Sequence, residues 1–313
     1  MGSRVPLVSI NVPCYRQLAQ ARRCVDSILG QSFGDFELTL FDDGASDEYQ
    51  EYVRELGDAR VRYQRNPSRL GAMGNMFQAI AAGEGRYSLA FHEDDLLNRD
   101  FLASAVGILE GHPSCGFVAA ELREFKVEPS DAELAAPAGA LIYDQFDSPV
   151  EFLRAILRGT EPMFGSVVYR RDSLAGVPVQ HDTYGTLVDR PFLLSIMQRW
   201  SAAVLRNPLV YYRHHPDTAR HKGMSVDNII RLLTLYRSTL PAPMSAGDHA
   251  LFYAYSGYWL FTLYDLTPDD RRPSFARFLF DVWRRGLYKP RSRGRFGLRL
   301  IRRALLGQAR VAS

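Results

Sequence analysis

No run of the 313-residue chain approaches roughly 18 apolar residues, so the sequence offers no helix able to span a bilayer. Its opening residues, MGSRVPLVSINV, lack a charged leader, an apolar core and a small-residue cleavage site, which predicts a cytoplasmic rather than a secreted protein. Cysteine is scarce. Cys14, Cys24 and Cys115 are three in number and form no CxxC pair, which excludes a disulfide framework and suits free thiols in a reducing compartment. Neither GxGxxG nor GxxxxGK[ST] occurs, which argues against dinucleotide dehydrogenases and P-loop ATPases. No internal repeat is evident.

The chain does contain a marked charge asymmetry. The net charge is +3, yet Asp270–Ser313 carries thirteen Arg or Lys against two acids, or +11, leaving −8 elsewhere. An acidic body with a basic tail predicts an anionic partner for the tail. The acidic body and the lack of a recognisable module argue against nucleic acid.

Strand-like and helix-like segments alternate over the first 120 residues. Strands are expected at 7–12, 36–41, 61–65 and 86–91, and helices after each, ending with 99–111. Such alternation implies βαβ crossovers and a mainly parallel sheet flanked by helices. Residues 126–147 read as an exposed excursion, and 148–158 and 187–200 as helices. Four more helices are expected at 226–239, 247–265, 273–287 and 295–306.

Ligands of an open parallel sheet bind beyond the carboxyl ends of its strands. Those ends carry PCYR (13–16), DDGASD (42–47), RNPSRLGAMGN (65–75) and HEDD (92–95). Adjacent carboxylates at one strand end suit a divalent cation with oxygen ligands, Mg²⁺ or Mn²⁺. The alternative, the positive end of a following helix dipole, explains one acid comfortably and three poorly. Tyr15 and Asp43 have the chemistry to grip a base and ribose, or are a half-buried Tyr and a turn Asp. Arg69 beside Gly71 could approach a diphosphate.

Together these segments resemble family 2 glycosyltransferases of the GT-A fold, an α/β, Rossmann-like architecture, here with a C-terminal helical extension. The resemblance rests on VSINVPCYR, SILGQSFGDFELTLFDDGASD, NPSRLGAMGN and GEGRYSLAFHEDDLL in order across 7–97. It continues through FGSVVYRRDSL, YGTLVDRPFLLSI and PLVYYRHHPDT to about residue 220. It implies a glycosyltransferase domain over 1–222, with 1–120 binding the nucleotide sugar and 121–222 the acceptor. A basic helical region over 223–313 follows.

The resemblance further implies roles by position. Pro13, Tyr15 and Asp43 would hold the nucleotide, with Arg69 and Asn75 near base or phosphates. Asp94 would contact ribose or diphosphate, Asp95 would ligate the metal, and Asp189 would be the general base. His215 would close over diphosphate or metal. The implied activity is inverting transfer from a nucleoside diphosphate sugar, preferentially of UDP, to a glycan or lipid-linked acceptor of a bacterial surface polysaccharide or glycolipid. A catalytically dead scaffold and a sugar nucleotidyltransferase are the competing readings.

Three departures stand out. His92 occupies the place of a usual Asp, as a ligand, an acceptor-side donor or a packed histidine, and Glu93 beside it faces acceptor or solvent in this reading. Arg16 replaces an Asn that shapes the P-x-Y-N loop. Val188–Asp189 retains only the second acid of a Glu-Asp pair. In the tail, Phe275, Phe278, Leu279, Val282 and Trp283 line one side of a helix, with Arg277, Arg284 and Arg285 beside it. The expectation is that 226–266 packs on the enzyme while 273–306 meets an anionic membrane, placing the protein on the inner face of the plasma membrane.

Overall fold

Short β-branched and aromatic runs separated by amphipathic helices build the first half of the fold as expected. The computed structural model describes residues 5–44, 46–214, 225–266 and 274–289. The elements in order begin β1 (Val8–Cys14), α1 (Leu18–Leu29), β2 (Phe36–Asp42), α2 (Glu48–Leu56), β3 (Val61–Arg65) and α3 (Gly71–Ala81). β4 (Tyr87–Ala90), β5 (Leu96–Leu97), α4 (Phe101–Gly111), β6 (Cys115–Phe125), α5 (Asp131–Leu134) and β7 (Tyr143–Phe146) follow. Next come α6 (Pro149–Leu157), β8 (Val167–Arg170), α7 (His181–Tyr184), α8 (Asp189–Ile196) and β9 (Ser201–Arg213). α9 (Val226–Thr239), α10 (Ala246–Leu266) and α11 (Phe275–Arg284) complete the described chain.

The chain divides into two compact units, one of 1–149, 161–179 and 192–218, the other of 150–160, 180–191 and 219–313. The first unit holds a sheet of order β3-β2-β1-β4-β8-β6-β9-β5, with β7 also paired to β9. β1 to β4 pair in parallel, and so do β6 and β9. The mainly parallel sheet expected from the first 120 residues is thus present, and β8, β5 and β7 add antiparallel pairings at its other end. Val8, Ile10 and Val12 and their neighbours Leu38, Leu40 and Leu89 are wholly buried, the continuous apolar pattern of strands covered on both faces. In register, Cys14 lies opposite Asp42, and Asp42 opposite Arg65, so the ends of β1, β2 and β3 fall side by side.

β6 carries no strand signal in the sequence, because CGFVAAELREF mixes helix formers with its apolar residues. Pairing with both β8 and β9 makes it a strand, an instance of tertiary context overriding propensity. The 126–147 excursion is largely exposed and includes α5, whose Ser130 and Glu133 form a capping box.

The second unit is helical and differs in composition from the expected 223–313. Residues 150–160 and 180–191 join it. Within it, Arg154 of α6 forms a two-pronged ion pair with Asp248 of α10, at 2.8 and 2.9 Å. Asn228 of α9 donates to the Thr183 carbonyl of α7 at 3.1 Å. α11 turns Phe278 and Val282 inward, with Phe278 against Phe261 and Tyr264 of α10. This corrects the lipid-facing side read from sequence. Phe278 and Val282 are core, whereas Phe280 and Trp283 are 58% and 55% exposed. The expected helix 295–306 lies outside the described residues.

Candidate active site

The carboxyl-end loops of β1, β2, β3 and β4 interlock through side chains. Tyr15 follows β1, and its N–H donates to Glu93 Oε1 at 2.7 Å. The other oxygen of Glu93 accepts from the Tyr49 hydroxyl of α2 at 2.5 Å, and Tyr49 in turn accepts from the Gln17 N–H at 2.9 Å. Glu93 is only 6% exposed, and burial pushes its carboxyl up to about 7 against the lowering effect of these two donors. The acceptor-side or solvent-facing role expected for Glu93 is therefore corrected. It is an enclosed brace under the Tyr15 loop.

Asp43, after β2, accepts from the N–H groups of Leu70 and Gly71 at 2.7 and 2.8 Å and from Asn66 at 3.0 Å. Gly71 has φ 74°, a backbone open to glycine, which lets the start of α3 fold onto the carboxylate. A carboxylate has about four lone-pair sites, so Asp43 keeps room for about one further donor. Asn75 is turned inward. Its amide donates to the Phe41 carbonyl at 2.8 Å and accepts from Asn66 at 3.0 Å, so it supports Asp43 through Asn66 instead of reaching base or phosphate as expected. Arg69 is exposed and lies over the Tyr15 ring at 4.5 Å, closing the circuit between the β3 and β1 loops. Pro13 and Tyr15 are half-buried on the same rim.

At the β4 end, Asp95 is 2% exposed. Its Oδ1 accepts from the Arg213 N–H at 2.8 Å, and its Oδ2 lies 3.0 Å from His92 Nδ1. Burial raises its carboxyl above the usual range, while His92 and the Arg213 amide pull the other way. Arg213 also donates from Nε to the Asp94 carbonyl at 3.0 Å and pairs through Nη2 with Glu128 at 3.0 Å. The imidazole of His92 packs on Gly165, where an added Cβ would stand 2.8 Å from Nδ1. His92 is thus an oriented partner of Asp95.

Among the described residues no group of three or more His, Cys, Asp or Glu is assembled to hold a metal. Asp94 and Asp95 nevertheless present hard oxygen donors, and each Asp95 carboxylate oxygen, held by Arg213 or His92, has capacity for a further partner. That donor set fits a Mg²⁺ or Mn²⁺ ion, which takes one or two protein carboxylates and completes its shell with phosphate and water. His215 lies outside the described residues. Asp189 belongs to the second unit, half-buried, opening α8 with Oδ1 accepting from the Arg190 N–H at 2.8 Å.

Four contributors carry no role in the sequence reading. Asn66, Tyr49, Gly165 and Arg213 all act through partners distant along the chain. Asn66, Gly165 and Arg213 sit inside the motif segments, and that proximity was their only signal.

Residues 9–145 match the family model described as Glycosyl transferase family 2. The putative colanic acid biosynthesis glycosyl transferase WcaA of Escherichia coli (strain K12) is 33% identical over 92 residues, covering 29% of this chain and 33% of that protein. The chain therefore matches about a third of that relative's length. A crystal structure of S. aureus TarS 1–349 in complex with UDP-GlcNAc superposes with a TM-score of 0.61 at 14% identity, over 91% of this chain and 82% of that one. Mannosyltransferase PcManGT from Pyrobaculum calidifontis, in complex with GDP-Man and Mn²⁺, gives 0.56 at 18% identity, over 97% and 87%. At such identities the two structures speak for the GT-A-type fold alone. The motif order on the strand ends, the family match and the shared fold agree, and residues 9–145 are similar to glycosyl transferase family 2.

Proposed function

We propose that the protein transfers a sugar, with inversion, from a nucleoside diphosphate sugar to a hydroxyl of a glycan or lipid-linked acceptor in bacterial surface polysaccharide or glycolipid synthesis. One observation carries this reading. Tyr15, Asp43, Arg69 and Glu93, from separate loops, are linked by hydrogen bonds and stacking at the carboxyl ends of parallel strands, with Asp94 and Asp95 following Glu93 directly in the chain. A catalytically inert scaffold would have no need to keep buried carboxylates there at the cost of their desolvation.

In this reading Asp43 offers its remaining lone pair to the base, and Tyr15 and Arg69 flank the nucleotide. Asp94 and Asp95 would hold Mg²⁺ or Mn²⁺, which supplies charge neutralisation to the leaving diphosphate. Arg69 adds positive charge as the glycosidic bond to the diphosphate breaks. Asp189 takes the proton of the acceptor hydroxyl, which attacks the anomeric carbon from the face opposite the diphosphate and inverts it. His92, fixed by Asp95 and Gly165, borders the reacting sugar on the acceptor side.

Calorimetric titration of UDP, GDP and dTDP with and without Mn²⁺ tests the donor half. Absence of binding by all three refutes it. Asp95→Asn removes the metal dependence of binding, and Asp189→Asn spares donor binding while stopping transfer. Transfer retained by Asp189→Asn refutes the base assignment.

The same reading puts the enzyme at an anionic membrane surface. Its support is the outer face of α11, where Phe280 and Trp283 lie with tilted rings 6.1 Å apart beside exposed Arg277 and Arg284.

A further inference from the structure

Arg16 is, among the described residues, the non-glycine residue with positive φ, at 59°. A side chain with a Cβ in that region costs on the order of 1 kcal/mol, and Asn or Gly bears it far better than Arg. The strain is held in place by its neighbours, since Glu93 fixes the Tyr15 N–H and Tyr49 the Gln17 N–H on either side. Local packing gives Arg16 little in return. Its guanidinium is exposed, 5.1 Å from the Tyr15 ring, and makes no ion pair among the described residues.

Arg69 shares this condition. It lies 4.5 Å from the same ring, also exposed and also without an ion pair among the described residues. Several other arginines of the first unit are matched to carboxylates, as Arg23 and Arg213 are to Glu128 and Arg65 is to Asp47, and the buried Arg170 is matched to backbone carbonyls. Two unmatched cations facing one tyrosine, inside a Debye length of about 10 Å, repel each other. An anion with several oxygens placed against both converts that repulsion into attraction, and guanidinium forks match phosphate oxygens in pairs.

We propose that Arg16 binds the diphosphate of the donor, acting with Arg69 as a two-arginine clamp across Tyr15, and that its left-handed backbone is retained because it aims the guanidinium. The assignment rests on the nucleotide-sugar reading for its ligand, but the anion site stands on its own geometry. Arg16 occupies the place where the resemblance expects Asn, so the clamp is a feature of this chain.

The test uses the full chain, wild type against Arg16→Asn and Arg16→Lys, titrated with UDP, GDP, uridine and inorganic pyrophosphate at fixed Mg²⁺. Arg16→Asn is expected to weaken diphosphate binding about tenfold and flatten its salt dependence, while uridine binds as before. Its melting temperature stays level or rises, because Asn relieves the strain. Arg16→Lys keeps part of the affinity. Unchanged diphosphate affinity in Arg16→Asn overturns the proposal, and so does an equal loss for uridine and UDP, which marks a merely structural loop residue. Pyrophosphate separates the two readings. Wild type that binds pyrophosphate but no nucleoside diphosphate ends the nucleotide reading, while loss of pyrophosphate binding in Arg16→Asn upholds the clamp.

Discussion

Gly165 shows how much a single missing methyl decides. It lies in the turn before β8, and a Cβ there would meet His92 Nδ1, the atom bonded to Asp95, at 2.8 Å. Gly165→Ala must therefore displace the imidazole from Asp95. Transfer is expected to fall about tenfold or more in kcat/KM, since a misplaced site group costs of that order. Combining Gly165→Ala with His92→Ala should give less than the sum of the two losses, because both act on one contact. Additive losses would show that Gly165 acts elsewhere. At this scale the sequence identified Tyr15, Asp43, Arg69 and Asp95 as rim residues by motif. It misjudged Glu93 and Asn75, whose partners Tyr15 and Phe41 lie 78 and 34 residues away. A motif names residues that share a place in the chain, whereas hydrogen bonds select those that share a place in space.

At the scale of elements, the pairing of α6 with α10 has a pH signature. Asp248 is 3% exposed, accepts from Arg154 and from Ser245, and has its carboxyl lowered to about 2, chiefly by the Arg154 hydrogen bonds. A depressed carboxyl stabilises the folded state above its unfolded pKa of about 3.9 and loses that contribution as pH falls toward 2. Partial solvent screening of the pair keeps the stabilisation at neutral pH to about 1 kcal/mol. Asp248→Asn should lower the melting temperature at pH 7 and narrow its gap to wild type between pH 4 and pH 2, read by thermal unfolding monitored by circular dichroism. A gap independent of pH would assign the loss to packing instead. Element boundaries were legible where apolar periodicity was strong, as in β3 at 61–65 and α9 at 226–239. β6 was not, because its strand character comes from β8 and β9 on either side.

The whole molecule joins an acidic body to a strongly basic end, and α11 exposes Phe280 and Trp283 beside its arginines, the face on which the proposed membrane contact rests. Phe280, Trp283, Arg277 and Arg284 fall within one arc of the helix, opposite Phe278 and Val282. Full-length protein should sediment with vesicles containing anionic lipid and much less with zwitterionic ones. Replacing Phe280 and Trp283 with Ser should reduce pelleting severalfold, because each aromatic loses its place in the interface. Pelleting equal to wild type in that variant, or equal on both lipid types, discards the membrane role of this face. Nucleotide binding should be unaffected by these changes.

The sequence by itself determined the alternation of β1 to β4 with their helices, the order of polar motifs at the strand ends and the basic end of the chain. Each of these is written in local periodicity or in local charge. The tertiary structure alone decided that Glu93 and Asn75 face inward, that Asp95 is held between His92 and Arg213, and which side of α11 meets water. Those outcomes depend on which buried polar atoms find partners across the sheet and which apolar side chains find a neighbouring helix, and neither is encoded in spacing along the chain.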